Sequence, residues 1–172
     1  LKLQPKLDDS EVFIIDLQRY LAEMEQLTSS ILGFAKLSSL QQLECKDDIE
    51  LAPMIEQRSA FISILYPDVA VDIRSSESLS LISNRFYLQL ALDNVLKNAC
   101  KYADSQIIIE LNQTDTHFDI SIADDGEGLS DEQCQAVMSA FVQSDNAQGM
   151  GGFGLGLAIV GTVMAKLSGS MV

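Results

Sequence analysis

Between Asp9 and Leu40 the positions Leu17, Leu21, Met24, Thr28, Ile31 and Ala35 recur at spacings of four and three, and Leu27 and Phe34 widen the stripe. That period is the seam of a coiled coil or helical hairpin, and Asp8, Asp9 or Ser10 can cap its start. Gly33 weakens the helix without breaking it. A lone helix of this length gains little without a partner, so pairing is expected. An oligomerisation helix is the simplest interpretation, and a helix packed on its own domain competes with it. Residues 41–48 are polar and read as a linker. The pattern then becomes mixed. A short strand near Ile49–Leu51 and a helix from Ala52 to Leu65 lead through Tyr66-Pro67-Asp68 to a strand in which Val69, Val71 and Ile73 alternate. Leu79–Ile82 predicts another strand, and Asn84–Ala103 a long helix. Gln106–Asn112 and His117–Ala123 predict a hairpin across a polar turn. Ser130–Ser139 reads as a helix with Ser130 as cap and Gln133 three residues later. Residues 142–152 are loop-like, a last helix spans Phe153–Leu167, and no internal repeat is visible.

Composition narrows the classes. The 172 residues suit one domain, or one domain with an appendage, and 47% hydrophobic content supports a sizeable core. Eleven Lys+Arg against 25 Asp+Glu give a net charge of −14, which argues against a nucleic-acid groove. A nucleotide is still compatible, because Mg²⁺, backbone amides and one lysine can meet its phosphates. Cys45, Cys100 and Cys134 form no Cys-x-x-Cys pair, so neither zinc nor a disulfide framework is indicated, and reduced, buried thiols are expected. No stretch approaches the roughly 20 apolar residues of a membrane span. No signal-peptide pattern opens the chain, and the segment is expected to be soluble, without direct membrane contact.

Three segments carry candidate chemistry. In Gly151-Gly152-Phe153-Gly154-Leu155-Gly156-Leu157, glycines lead directly into an apolar helix. Several unobstructed N–H groups and a helix N-terminus there suit a phosphate; a flexible loop or a tight packing contact is the plainer account. On the helix 84–103, Asn94, Asn98 and Lys101 fall at i, i+4 and i+7 beside the apolar face of Leu88, Leu92, Val95 and Ala99. An asparagine carbonyl is a hard oxygen ligand and a lysine is a point charge for phosphate, although the same row is equally an ordinary solvated face. Asp124 ends a strand at Asp124-Asp125-Gly126-Glu127-Gly128, where a carboxylate can accept from an exocyclic amine. A plain β-turn explains the same residues.

Together these segments resemble the boxes of sensor histidine kinases. Leu90 to Tyr102 is similar to the N box, Asp124-x-Gly126-x-Gly128-Leu129 to the G1 box, Phe141 stands where the F box lies, and Gly152-Phe153-Gly154-Leu155-Gly156-Leu157 resembles the G2 box. The match covers about residues 49–172. The helix from Tyr20 to Leu37 resembles the second helix of the family's dimerisation and histidine-phosphotransfer hairpin. The resemblance implies an α+β fold: a two-layer sandwich of Bergerat type, a mixed sheet backed by helices, preceded by a long N-terminal helix. It divides the chain into 1–44, hairpin helix and linker, and 45–172, a catalytic ATP-binding domain whose last strand is truncated. It implies Asn98 on Mg²⁺, Asn94 near the phosphates, Lys101 on phosphate and Tyr102 lining the pocket. Asp124 would bind the adenine amine, and Gly126, Gly128 and Leu129 would shape the base site. Gly152, Gly154, Leu155, Gly156 and Leu157 would form the lid hinge and bring amides to the phosphates.

The superfamily also holds gyrase, mismatch-repair and chaperone ATPases, which place a glutamate one helical turn before the metal-binding asparagine. Here that position is Asn94, an amide without useful basicity, and Asp93 is rotated by about 100° from that face. Transfer of the γ-phosphoryl of Mg·ATP to a histidine, and thence to a response-regulator aspartate, is therefore expected over hydrolysis. A degenerate nucleotide-binding dimer scaffold is the alternative. His117, the one histidine, lacks the acidic neighbour of an H box, so the acceptor is expected upstream of Leu1 in a longer bacterial inner-membrane sensor, of which this is a cytoplasmic fragment. A response-regulator receiver domain and a homodimer through the N-terminal helix are the implied partners. Two departures stand out: Gln143 where an arginine is frequent in the lid, and Lys166-Leu167-Ser168-Gly169 in place of His-Gly-Gly. The missing closing strand is expected to leave a sheet edge unpaired.

Overall fold

The computed structural model describes residues 9–75, 79–114, 116–130, 132–134 and 154–171. Nine elements follow in chain order: α1 (Asp9–Ser39), β1 (Asp47–Glu50), α2 (Leu51–Leu65), β2 (Ala70–Ser75), β3 (Ser80–Ser83), α3 (Arg85–Tyr102), β4 (Gln106–Gln113), β5 (Phe118–Asp124) and α4 (Gly156–Lys166). Each element expected outside 130–152 is present, with ends shifted by no more than three residues. The shifts have local causes. Asn84 caps α3 by accepting from the Tyr87 N–H at 3.1 Å, so the helix proper starts at Arg85. Glycine at 154 in a left-handed conformation (φ 66°) delays α4 to Gly156. The expected capping box holds: Gln133 N–H donates to Ser130 Oγ at 3.3 Å, and the Ser130 N–H donates back to Gln133 Oε1 at 2.8 Å. The rest of the helix expected over Ser130–Ser139, residues 131 and 135–139, lies outside the described residues.

β2, β4 and β5 form one mixed sheet in the order β2-β4-β5, β2 parallel and β5 antiparallel to β4. β1 and β3 form a separate antiparallel pair. Along β4 the alternation Ile107, Ile109, Leu111 turns one face onto α2 and α3 and makes the main core with Ile49, Leu51, Ile55, Ile62, Leu92 and Leu96. Among the described residues, β5 has no further strand beside it.

α3 lies between two cores. Leu88, Leu92, Leu96 and Ala99 face the sheet and α2, while Ala91 joins Leu37, Leu43, Leu155, Ile159, Val160 and Val163 in a second cluster. The packing reading of α1 holds for its C-terminal end: Phe34 and Leu37 pack on their own domain, and Lys166 donates to the Leu40 carbonyl. Its N-terminal half leaves Phe13, Ile14, Leu17, Tyr20, Leu21 and Met24 exposed. The thiols depart from expectation. Cys100 is buried, whereas Cys45, two residues past the buried Leu43 on the α1–β1 connection, and Cys134 are exposed.

α4 ends in a Schellman motif: Gly169 N–H reaches Met164 O at 2.8 Å and Ser168 N–H reaches Ala165 O at 3.4 Å. The left-handed position is Ser168, at φ 61°, where an L-residue is strained by about 1 kcal/mol. Ser168→Gly is accordingly expected to raise the unfolding free energy by about 0.5–1 kcal/mol in urea titration. An unchanged or lower midpoint would contradict this account of the cap.

Candidate functional site

With the start of α3 fixed by the Asn84 cap, the helical rotation of about 100° per residue sets every later side chain. Asn94, Asn98 and Lys101 fall within a sector of about 60°, half-buried beside Ala91 and Val95. Asn94 Nδ2 donates to Leu90 O at 2.8 Å, which leaves its carbonyl oxygen toward α4. A Cβ on Gly156 would lie 3.2 Å from Asn94 Oδ1, so the glycine-rich segment and the asparagine helix meet there. The Asn98 side chain has no hydrogen bond among the described residues, and its amide remains open to a ligand. Lys101 Nζ lies 3.1 Å from Tyr102 Oη and 4.8 Å from that ring's centroid.

β5 delivers the second group. Asp124 pairs with the fully buried Ile107, so its side chain shares the helix-facing side of the sheet. It emerges where the sheet ends, beside the C-terminus of α3. Asp124 Oδ1 accepts from the Gly126 N–H at 3.1 Å, and the other carboxylate oxygen stays available. A Cβ on Gly126 would stand 2.0 Å from the Tyr102 carbonyl oxygen, an impossible contact, so glycine there is a packing requirement. Gly128 takes φ 72°, and Leu129 beyond it is 46% exposed, an apolar surface beside a carboxylate.

α4 supplies the third group. Leu155 is buried and anchors the hinge. The helix after it has no side-chain cap and no acidic residue in its first turn, which leaves first-turn N–H groups for an anion. Leu157 is half-buried in that turn. Gly152, Phe153, Phe141 and Gln143 lie outside the described residues.

Two further pairings escaped the sequence. Arg58 of α2 grips Asp93 of α3 through two bonds, Nε–Oδ1 at 2.6 Å and Nη2–Oδ2 at 2.5 Å, and the Asp93 hydrogen bond raises the Arg58 pKa. Their positions are 35 apart in sequence, and no local pattern signals the contact. Asp125 accepts from the Ser105 hydroxyl and from three backbone N–H groups, of Asp104, Ser105 and Gln106. These bonds hold it well below the usual carboxylate range, the Ser105 hydroxyl foremost. The stability it lends is thus complete above its unfolded pKa and lost only as acid carries the pH through the lower folded value. The local signal was the Asp-Asp-Gly tripeptide, which reads equally as a turn. A groove of about 700 Å³ on another side of α4, lined by Phe34, Gln41, Gly161 and Lys166 among others, shares none of the candidate residues.

The chain is similar to known proteins in sequence and fold. The family described as histidine kinase-, DNA gyrase B-, and HSP90-like ATPase matches residues 84–172, just over half of the chain. The sensor protein RstB of Escherichia coli is 27% identical over 90% of this chain and 36% of its own length. BasS of the same organism is 28% identical over 87% of this chain and 43% of its own length. The chain thus spans less than half of these relatives. Among solved structures, the mycobacterial sensor histidine kinase MprB superposes with a TM-score of 0.64 at 26% identity, covering 72% of this chain and 80% of that one. Full-length ShkA in complex with AMPPNP shares the fold, with a TM-score of 0.79 at 22% identity, over 95% of this chain and 35% of that one.

The Gly126 contact makes a stability prediction. Gly126→Ala should destabilise by about 2 kcal/mol or more, whereas Gly33→Ala, with nothing within 4 Å of its new Cβ in the interior of α1, should be neutral or stabilising by up to about 1 kcal/mol. Equal urea midpoints for the two variants would refute the close approach.

Proposed function

Because the chain belongs to the histidine kinase-, DNA gyrase B-, and HSP90-like ATPase family, we propose that it is the catalytic ATP-binding part of a two-component sensor histidine kinase. It would pass the γ-phosphoryl of ATP to a histidine outside these residues, and from there the group would go to an aspartate of a response regulator. The similarity to named sensor proteins and to MprB supports this reading. In the same reading, 1–44 is the dimerisation helix with its linker, 45–172 is the catalytic domain, and the parent is a membrane sensor whose catalytic part lies in the cytoplasm. The open apolar half of α1 favours dimerisation through that helix.

Each group has a role suited to its chemistry. Asp124 accepts from the adenine amine, Leu129 offers an apolar face to the base, and Gly126 and Gly128 let the loop close on it. Lys101 and the first-turn amides of α4, from Gly156 and Leu157, meet the phosphates beside Asn94, with Tyr102 at the pocket wall. Gly152 and Gly154 flank the hinge before Leu155. Among the described residues no three His, Cys, Asp or Glu side chains gather as a metal cage. Mg²⁺ typically takes one or two protein oxygens plus phosphates and water, and the Asn98 amide, without a hydrogen bond among the described residues, supplies an oxygen of that kind. When bound, Mg²⁺ supplies charge neutralisation on the triphosphate.

The observation that carries transfer over hydrolysis is the state of positions 93 and 94. Asn94 is an amide packed against Gly156, and the adjacent carboxylate, Asp93, is committed to Arg58. Neither can take a proton from water. His117 sits at the far end of the β4–β5 hairpin, bonded to Thr114 and Thr116 and 3.3 Å from Asp119. Seven residues of extended chain, about 23 Å, separate it from Asp124, so it serves the turn and not the chemistry.

A fluorescent ATP analogue should bind the chain with Mg²⁺-dependent affinity, and Asn98→Ala should abolish that dependence. With radiolabelled ATP, label should appear on a histidine-bearing hairpin from the full-length protein, with little phosphate released in its absence. Steady phosphate release without acceptor would favour a hydrolase, and absence of nucleotide binding the scaffold. Asp93→Asn should cost about 1.5–3 kcal/mol of stability yet leave background phosphate release unchanged. A drop in release of 10²-fold or more would make Asp93 a base and refute the assignment.

A further inference from the structure

α3 ends at Tyr102, β4 begins at Gln106, and the corner between them faces the loop that follows β5. Three consecutive residues, Asp124, Asp125 and Gly126, hold loop to corner. Asp124 pairs with Ile107 in the sheet. Gly126 lies against the Tyr102 carbonyl. Between them, Asp125 Oδ1 accepts from the N–H groups of Asp104 at 2.9 Å, Ser105 at 3.0 Å and Gln106 at 3.0 Å, while Oδ2 accepts from Ser105 Oγ at 2.6 Å. Three successive N–H groups converging on one oxygen make an anion nest, and here a side chain of the same protein fills it. The contacts at 124 and 126 run through backbone, as does a bond from the Asp125 N–H to the Gln106 carbonyl at 3.3 Å. The Asp125 carboxylate is the side-chain tie.

We propose that Asp125 is the positioning residue of the base subsite: by tying residues 104–106 to the loop, it fixes where Asp124 and Leu129 stand relative to the end of α3, and so sets discrimination for adenine. This inference rests on the ATP-binding reading above. A carboxylate distinguishes an exocyclic amine, which donates to it, from a carbonyl, which repels it. That distinction is large only where the carboxylate cannot retreat from the base. Asp124 is itself exposed, and one of its oxygens is occupied by its own loop. Its position is therefore inherited from its neighbours. Released from the nest, the loop can shift by the ångström or so that separates a hydrogen bond from none.

The test compares ATP, GTP and Mg²⁺-tripolyphosphate binding to wild type, Asp125→Ala, Asp125→Asn and Ser105→Ala. The tripolyphosphate reads the phosphate end alone and reports that the site is folded. Wild type should prefer ATP to GTP by roughly tenfold or more. Asp125→Ala should bring that ratio to within about threefold of unity while tripolyphosphate affinity changes by less than about twofold. Asp125→Asn keeps an acceptor for the three N–H groups and should retain the preference. Ser105→Ala removes the one hydroxyl bond and should lower it partway; if Asp125→Ala does not fold, this variant decides the matter. An ATP:GTP ratio unchanged in both truncations, or a wild type that binds ATP without preferring it, overturns the proposal alone. A wild type that binds no nucleotide overturns the ATP-binding reading from which it starts.

Discussion

The site depends on how closely two glycines let other segments approach α3. At its C-terminal end, the Tyr102 carbonyl occupies the space a side chain at 126 would need. Two turns earlier, Asn94 fills the space in front of Gly156. A side chain at 126 would push its loop outward by more than the tolerance of a hydrogen bond and carry Asp124 away from the end of α3, whereas one at 156 would only require Asn94 to give by a few tenths of an ångström. A helix can have both neighbours only if it is also held in rotation. Asn84 at its first turn and the Arg58–Asp93 pair at its middle do this from two sides.

Much of this was legible in the sequence because it is periodic or local. Alternation in β4 and β5 gave the hairpin, the spacing of three and four gave α1 and α3, and Ser130 with Gln133 announced a cap that the coordinates contain. Asn94, Asn98 and Lys101 could be assigned to one edge from helical geometry alone. What stayed hidden is what depends on distant partners. Asp93 looks like an exposed acid until α2 brings Arg58 to it. Asp125 looks like the second letter of a turn until the α3–β4 corner turns three amides inward. Burial of the thiols was inferred from residue type, and type cannot say that Cys45 and Cys134 are exposed. α1 shows the same limit. Its stripe announced a buried face without saying that only its C-terminal end would be covered by its own domain.

The long helix and the site are joined mechanically through α4. Its first residue, Gly156, touches Asn94, and its last, Lys166, donates to the Leu40 carbonyl just past the end of α1. Between those points Ile159, Val160 and Val163 share one apolar cluster with Leu37 and Leu43. Eleven residues of helix span about 16 Å, and a helix this short behaves as a rod. Packing this dense forfeits contact energy over fractions of an ångström. α4 cannot follow a displaced α1 without moving the segment that faces Asn94, and it cannot stay behind without opening the cluster. The glycines at 154 and 156 sit where such a movement has its least steric cost, since the chain before α4 already uses a left-handed backbone at Gly154. Sequence places flexibility at that end of α4, and packing places rigidity at the other.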